Sequence, residues 1–254
     1  LPHIDGSVDP VRDVETVDFE LQVKDLESIE KKIQRLEKLA KSGDKDARHG
    51  IDVLNKYRDH IGNFRNARTL EVKEEEKKHV DDLFLLTMKP VMYVCNVDEK
   101  SAVTGNKYVT QVREALHGKD AEILVIAGAV EAEIAELESI DDRMAFLSDA
   151  GLEEPGVDKM VRAAYKMLNL QTFFTVGPKE IKAWTIKKGM TAPQAAGVIH
   201  SDLERGFIRA EVMKYKDFVT LGSEHACRDA GKFYIEGKSY VVEDGDILHI
   251  RFNV

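Results

Sequence analysis

The residues best suited to chemistry follow two short apolar runs in the middle of the chain. Asn96-Val97-Asp98-Glu99 follows Val91–Cys95, and Ala127-Gly128-Ala129 follows Ile123–Ile126. Apolar runs of this length are typical of buried parallel strands. Ligands of α/β proteins bind outside the carboxyl ends of such strands, so both segments are expected at one edge of a sheet. The candidate site residues at this edge are Asn96, Val97, Glu99, Ala127, Gly128 and Ala129.

The first segment has the side chains to recognise a nucleotide base. An Asn amide matches N6 and N7 of adenine, as it does in DNA recognition. Guanine is commonly read by Asn-Lys-x-Asp, whose Asp accepts from guanine N1–H and the N2 amine, but here Val97 and Glu99 replace the Lys and the Asp. Because adenine has no amine at C2, this pattern favours adenine. The alternative is a strand-end Asn followed by an ordinary acidic turn.

The small residues 127–129 would let backbone N–H groups approach the same base. The alternative for this segment is a tight strand-to-helix turn without a ligand. Gly237-Lys238-Ser239 resembles the end of a phosphate-binding loop, but position 232 is Lys where that loop needs Gly, and strands flank the segment. We interpret it as a hairpin turn.

Metal sites and nucleophilic catalytic groups are not predicted. The eight histidines have no metal-ligand spacing, and structural roles are expected for His200 and His249. The two cysteines, Cys95 and Cys227, fit no zinc or redox spacing and are expected to be reduced thiols. No catalytic residue is assigned.

The N-terminal third is expected to form a helical arm. Asp9-Pro10 is a favourable helix start, and apolar residues recur at helical spacing on both sides of Ser42-Gly43-Asp44. This pattern predicts an antiparallel helical hairpin that projects from the body, with an ordinary bundle segment as the alternative. A third helix is predicted over Glu71–Leu86. The seam residues are Leu26, Ile29, Ile33, Leu36, Ala40, Leu54, Tyr57, Ile61 and Phe64.

The remaining sequence predicts two further modules. Strands and helices alternate from residue 91 to 168, which predicts part of a doubly wound α/β sheet whose remaining strands lie before residue 1. From residue 172 onward, strands, one main helix and more strands predict a compact α+β domain of β-grasp type. Its last strands are expected at Phe233–Ile235, Tyr240–Val242 and Ile247–Phe252.

Several segments resemble the Obg-like ATPases of the YchF type. Asp5-Gly6-Ser7-Val8-Asp9-Pro10 resembles the segment before that family's coiled-coil arm, and residues 96–99 occupy the place of its altered base-recognition motif. Residues 170–254 resemble its C-terminal TGS domain, with Ala183-Trp184-Thr185 and Asp244-Gly245-Asp246 among the matching segments. The resemblance implies a P-loop NTPase domain at 1–20 and 89–170, an inserted coiled-coil arm at 21–88, and a TGS domain at 171–254.

The resemblance also implies an activity and partners. It implies an ATPase that binds and hydrolyses ATP in preference to GTP, uses Mg²⁺, and associates with the ribosome in the cytoplasm as a regulator of translation or stress. The phosphate loop and the Mg²⁺ ligands are expected before residue 1, so this chain alone is expected to be inactive. The alternative is a non-enzymatic module that binds RNA or protein.

The charge distribution does not decide whether the helical arm binds RNA. The net charge is −9, which gives no bulk attraction to nucleic acid. Residues 24–78 carry fifteen basic and twelve acidic side chains, so either a solvated helix face or an RNA contact through the arm fits. No apolar run is long enough to span a membrane. The basic residues in question are Lys31, Lys32, Arg35, Lys38, Lys41, Lys56, Arg58, Arg65 and Arg68.

Overall fold

The chain folds into two compact units. The computed structural model describes residues 6–118, 121–177 and 180–253. One unit comprises Leu1–Met160 and the other Val161–Val254. The first contains the helical arm and a parallel strand pair, and the second contains a five-stranded sheet.

The predicted helical hairpin is present. Helix α1 (Pro10–Lys41) begins as expected, because the Asp9 carboxylate accepts a hydrogen bond from the backbone N–H of Arg12. A turn at 42–44 leads into α2 (Lys45–Gly62), which Asp44 caps in the same way. The two helices pack through a shared apolar core. Its fully or almost fully buried members are Ile29, Ile33, Val53, Leu54, Tyr57 and Ile61.

The predicted seam is wrong at its last residue. Helix α2 ends at Gly62, so Phe64 lies beyond it and adopts a left-handed backbone conformation with φ of 59°. Its side chain is 72% exposed, with the ring 6.0 Å from that of Phe19. Leu26 and Leu36 lie at the margin of the core and are only partly buried.

The third helix predicted over Glu71–Leu86 is also wrong. Only α3 (Glu74–Lys77) is α-helical there, and short 3-10 turns cover 67–69, 81–83 and 86–88. The backbone is instead held by side chains of α1. The buried Asp25 carboxylate accepts the N–H groups of Leu86 and Thr87, and Lys32 Nζ donates to the carbonyl oxygen of His79. Local hydrogen bonds between residues three apart form the short turns, and α1 binds a few backbone groups that a continuous helix would pair internally.

His79 makes the stability of the arm dependent on pH. Its imidazole is buried 5.2 Å from the His49 ring, and its Nε2 has no hydrogen-bond partner among the described residues. Burial lowers the pKa of His79, and nearby Lys78, His49 and Lys32 add to this effect while Asp46 opposes it. The folded state therefore binds this proton less readily than the unfolded state does.

A histidine with a depressed pKa stabilises the fold above its unfolded pKa of about 6.5, and that contribution is lost as the pH falls through the folded value. We expect the free energy of unfolding to decrease between pH 7.5 and pH 5.5. His79→Phe should flatten this part of the dependence, whereas the exposed His225→Phe should not. Urea denaturation at both pH values measures the effect. An unchanged slope in His79→Phe would contradict the assignment.

The two predicted parallel strands are present, but they are less buried than expected. Strand β1 (Met92–Asn96) pairs in parallel with β2 (Glu122–Ile126), and Asn96 lies opposite Ile126. Both strands are only partly buried, and Val94 is 44% exposed, because a two-stranded sheet offers too little cover for both faces. The helices that follow are α4 (Lys107–Ala115), α5 (Gly128–Glu136), α6 (Ile140–Asp149) and α7 (Gly156–Met167).

The C-terminal unit has the predicted β-grasp arrangement. Its sheet has the order β4-β3-β7-β5-β6, in which β3 is parallel to β7 and the other neighbours are antiparallel. Helix α8 packs on one face around Phe173, Ala210 and Leu248, and α11 contributes Cys227 to a second cluster. The strands are β3 (Leu170–Val176), β4 (Ile181–Lys187), β5 (Phe207–Lys214), β6 (Tyr234–Glu236) and β7 (Asp246–Phe252); the helices are α8 (Ala192–Ile199), α9 (Ser201–Arg205), α10 (Tyr215–Leu221) and α11 (Glu224–Asp229).

The strand predicted at Tyr240–Val242 is wrong. The carbonyl oxygen of Tyr240 accepts from the N–H of Ala192, and the N–H of Val242 donates to the carbonyl oxygen of Met190. Only a single bridge, between Thr191 and Val241, has strand character. This segment therefore fixes the start of α8 and lies outside the five-stranded sheet.

Candidate nucleotide-binding edge of the parallel strands

Asn96 connects the ends of the two strands. It is the last residue of β1, and its Oδ1 accepts a hydrogen bond from the backbone N–H of Gly128 over 3.0 Å. Because a backbone N–H can only donate, the amide orientation follows from this contact, and both Nδ2 protons remain available. A Cβ at position 128 would lie 3.1 Å from Asn96 Oδ1, so glycine permits this close approach.

Of the next three residues, Val97 and Asp98 have structural contacts, and Glu99 is exposed. Val97 donates its N–H to the carbonyl oxygen of Ile126 and packs on a cluster that includes Ala127. Asp98 accepts from the N–H of Ser101 and caps the 3-10 turn 99–101. Glu99 is exposed at the start of that turn. In the described part of the chain, its carboxylate makes no hydrogen bond or ion pair with the other candidate residues.

The segment 127–129 is the start of a helix, in agreement with the strand-to-helix turn given as one of its two interpretations. Ala127 is the buried N-cap of α5, and Gly128 and Ala129 form its exposed first turn. Helix α5 was not predicted from the sequence because its residues, mostly Ala, Val, Ile and Glu, give little amphipathic periodicity. The first N–H groups of a helix point outward and favour electronegative partners. Helix α5 therefore presents donors beside Asn96.

Glu131 is a residue of this region that the sequence analysis did not identify. From α5, its carboxylate accepts the N–H groups of Gly156 at 2.6 Å and Val157 at 3.3 Å, and so caps α7. A Cβ at position 156 would lie 2.7 Å from Glu131 Oε1, which explains the glycine there. Two sequence features could have indicated this contact: a Glu one turn after the small residues 127–129, and Pro155-Gly156 at the start of a helix.

The six candidate residues thus form one edge with defined chemistry. Asn96 Nδ2 and the first N–H groups of α5 after Gly128 are donors, Val97 and Ala127 pack in one apolar cluster, and Glu99 is an exposed acid. These groups suit the polar edge of a flat base more than they suit covalent chemistry. Within the described residues, no group of three His, Cys, Asp or Glu side chains could hold a metal ion.

Known proteins share this architecture. The structure of the Schizosaccharomyces pombe YchF GTPase superposes with a TM-score of 0.85 and 31% identity, over 98% of this chain and 68% of that one. The Ribosome-binding ATPase YchF of Bacillus subtilis is 47% identical over 256 residues, covering all of this chain and 70% of that protein. This chain belongs to the YchF family of Obg-like ATPases. The resemblance seen in the sequence is therefore confirmed.

Two more comparisons extend the YchF assignment. Obg-like ATPase 1 of Rattus norvegicus is 41% identical over 259 residues, covering all of this chain and 65% of that protein. The YchF-GTPase_C family model, described as "Protein of unknown function (DUF933)", matches residues 170–253, which contain the β-grasp sheet. Among the described helices, none is both long enough and apolar enough to cross a bilayer.

Proposed function

We propose that this protein binds and hydrolyses ATP in preference to GTP, and that it acts at the ribosome in the cytoplasm. The observation that carries the nucleotide assignment is the hydrogen bond between Asn96 and Gly128, which joins the two strand ends at the edge proposed to bind the base. Relatives named ribosome-binding ATPases support the activity and the ribosome as a partner. Regulation of translation or stress is the corresponding cellular role.

The preference for adenine depends on which atoms of the base contact the Asn96 amide and the Glu99 carboxylate. An N7 acceptor is present in both purines, so a bond from Asn96 Nδ2 to N7 does not discriminate. The second lone pair of Asn96 Oδ1 can accept from the N6 amine of adenine, whereas guanine presents another acceptor there. Glu99 is longer than the Asp of a guanine reader and does not clamp N1–H and the N2 amine. Both features favour ATP.

The described residues do not supply the phosphate chemistry. Phosphoryl transfer depends on a phosphate loop, its Lys and Mg²⁺. Lys238, in the segment that resembles such a loop, lies in an exposed turn before the Tyr240 segment. Within the described residues, no group of three His, Cys, Asp or Glu side chains fits Mg²⁺. We propose that the chain alone does not turn over ATP, and that 1–20 with 89–170 completes a P-loop domain.

Nucleotide titration tests the base assignment in the protein produced from its complete gene. We expect ATP to bind more tightly than GTP. Val97→Lys with Glu99→Asp should move the preference toward GTP by roughly 10- to 100-fold, the effect of about 1–3 kcal/mol at one base contact. Glu114→Asp, the same chemical change on exposed α4, is the control and should leave both affinities unchanged.

Two outcomes would contradict the proposal. Equal or GTP-favouring affinity in the wild type would remove Asn96 and Glu99 as specificity residues. ATP turnover by residues 1–254 alone, at the rate of the complete protein, would show that the phosphate site lies within this chain. Calorimetry and a phosphate-release assay measure the two quantities separately.

A non-enzymatic RNA contact through the arm is a second candidate function. Several of the basic arm residues bind within the arm: Lys32 contacts Asp82, Lys56 contacts Glu76, and Arg68 donates to the Thr87 carbonyl. Lys31, Arg35, Lys38 and Lys41 are exposed and have no ion pair within the described residues. These four side chains favour phosphate binding by the arm (21–88), to which the TGS domain (171–254) would add. Salt-dependent binding of ribosomal RNA fragments tests it.

A further inference from the structure

Two exposed phenylalanines meet near the end of α2, beside the first half of α1. Phe19 is 50% exposed, Phe64 is 72% exposed, and their ring centroids lie 6.0 Å apart. Val23, one turn after Phe19 on α1, is 36% exposed. We call these three residues the Phe19–Phe64 patch. Within the described part of the chain, they form an apolar surface that remains open to solvent.

The backbone of Phe64 is unfavourable for a residue of its type. It follows the C-cap Asn63 of α2 with φ of 59°, and its N–H donates to the carbonyl oxygen of Ile61 at 2.9 Å. Helix ends usually place Gly or Asn in this left-handed conformation, because a Cβ there crowds a backbone carbonyl oxygen. Gly62 and Asn63 directly precede this position, yet the left-handed residue is Phe. Backbone strain beneath an exposed aromatic ring points to a role outside the fold.

The sequence around the patch is acidic. Glu15 lies one turn before Phe19 on the same stripe of α1, and Glu20 follows Phe19 directly; both are exposed and have no ion pair within the described residues. The exposed Arg65 next to Phe64 offsets only part of this charge. Such a surface attracts Lys and Arg side chains and repels phosphate groups. From residue 6 to residue 23 there is one basic side chain, Arg12, against five acidic ones: Asp9, Asp13, Glu15, Asp18 and Glu20.

A shallow groove continues the patch along α1. It offers Val23 and Leu26 as apolar contacts, and two of the acids on its walls are already paired. Lys24 Nζ lies 3.2 Å from Glu27, and Arg58 lies 3.9 Å from Glu30. The groove therefore suits an aliphatic side chain of a partner more than a charged one. Its lining residues are Val23, Leu26, Glu27, Glu30, Lys31 and Gln34.

We propose that the Phe19–Phe64 patch binds a protein component of the ribosome, through a segment whose apolar side chains are flanked by Lys or Arg. This inference rests on the ribosome as the partner in the proposed function. Phe19 and Phe64 act as the aromatic anchors that lose their water on binding. Glu15 and Glu20 meet the flanking cations and set the orientation. Proteins that sit on ribosomal RNA carry many Lys and Arg residues, because these neutralise phosphates.

Ribosomal RNA is the less suitable ligand for this surface. Bases can stack on aromatic rings, but the phosphates that accompany them would approach Glu15 and Glu20. The exposed cations Lys31, Arg35 and Lys38 lie further along α1, beyond the patch. The two halves of α1 are thus suited to different materials, the first to a basic protein segment and the second to phosphate.

Ribosome binding by patch variants tests the proposal in the protein produced from its complete gene. Phe19→Gln and Phe64→Asn should each raise the dissociation constant for purified ribosomes at least about tenfold, measured by co-sedimentation. Phe84→Asn is the matched control. Phe84 is also left-handed, with φ of 48°, and 78% exposed, but it lies elsewhere on the arm beside Asp81 and Lys89. It should leave ribosome binding unchanged.

Stability separates a binding role of Phe64 from a structural one. Asn tolerates the left-handed conformation better than Phe does, so Phe64→Asn should leave the midpoint of urea unfolding unchanged or raise it. A binding role therefore predicts weaker ribosome binding without a loss of stability. A lower midpoint that accompanies the weaker binding would assign Phe64 to the fold and overturn the proposal.

Charge reversal distinguishes a protein ligand from RNA. Glu15→Lys should weaken ribosome binding at least about threefold relative to Glu71→Lys, the same change at an exposed position outside α1. Tighter binding by Glu15→Lys than by Glu71→Lys would show that the patch faces phosphate, and would overturn the proposal. None of the Phe variants should change binding to protein-free ribosomal RNA.

The wild-type protein separates the two levels of inference. If it does not sediment with ribosomes, the proposed function fails and this inference fails with it. If it does, and the Phe19 and Phe64 variants bind equally well, only this inference is overturned.

Discussion

Replacing Asp246 with alanine is expected to destabilise the C-terminal unit by about 3 kcal/mol. The side chain is fully buried, and its two oxygens hold three partners. Oδ1 accepts from Lys214 Nζ at 2.8 Å, and Oδ2 accepts from the Tyr240 hydroxyl at 2.7 Å and the Glu243 N–H at 2.9 Å. This carboxylate therefore joins β5 and the 240–243 segment to the start of β7.

Removing the carboxylate leaves buried donors without an acceptor, which costs about 3–5 kcal/mol for a buried pair. The lower end applies here because Lys214 is 34% exposed and keeps its bond to Glu243 at 2.8 Å. Burial and the Asp246 contact raise the pKa of Tyr240 to about 12, so its hydroxyl stays a donor at neutral pH. Partial burial lowers the pKa of Lys214, but its hydrogen bonds to Asp246, Glu243 and Tyr240 outweigh this effect and raise the pKa.

Glu243→Ala is the matched control, since it removes the exposed acid on the same lysine. It should cost less than about 1 kcal/mol, as exposed ion pairs do. Equilibrium unfolding of each variant in urea, followed by Trp184 fluorescence, measures the difference. Equal losses for the two variants would show that burial of Asp246 is not what makes its contacts strong.

Elements with a strong periodic pattern could be predicted from the sequence. The start of α1 at Asp9-Pro10, the antiparallel arm and the two strands that precede Asn96 and Ala127 follow from local composition and spacing. So does the β-grasp, because its strands are short, alternating and separated by turn residues. In each case the local preference and the tertiary contacts agree.

The wrong predictions lie where contacts distant in sequence decide the backbone. The stretch Glu71–Leu86 has helix-forming residues, yet Asp25 and Lys32 of α1 bind the backbone N–H of Leu86 and the backbone carbonyl of His79. Tyr240–Val242 has the composition of a strand, yet its backbone pairs with the residues before α8. A local sequence pattern does not indicate these contacts, because the contacting residues lie dozens of positions away in the chain.

In the candidate site too, some features could be predicted from the sequence and others depend on contacts between residues distant in sequence. The positions of Asn96 and Gly128 at neighbouring strand ends could be predicted from the order of strands and helices. Their direct hydrogen bond could not, and neither could the role of Glu131 as the cap of α7. The sequence left open whether 127–129 begins a helix, and the helix makes the free donors the first N–H groups of α5 after Gly128.

Replacing Asp25 with alanine is expected to destabilise the N-terminal unit by about 3–5 kcal/mol. The carboxylate is 2% exposed and accepts three hydrogen bonds: from the Leu86 N–H at 2.7 Å, the Thr87 N–H at 2.8 Å and the Thr87 hydroxyl at 2.7 Å. The Thr87 Oγ1 in turn accepts from the N–H of Ala67 at 2.9 Å. One side chain of α1 thus fixes two connections whose only regular structure is a short 3-10 turn in each.

Thr87→Val provides the partner variant for a double-mutant cycle, because it removes the hydroxyl while keeping the shape. Alone it should cost about 1–3 kcal/mol, since Ala67 N–H loses its acceptor and Asp25 loses one donor. The double variant should cost less than the sum, because both changes break the same network. Hydrogen exchange at the Leu86 and Thr87 amides should accelerate in Asp25→Ala before global unfolding. Additive costs, or a loss no larger than that of the exposed Glu27→Ala on the same helix, would show that Asp25 does not organise this region.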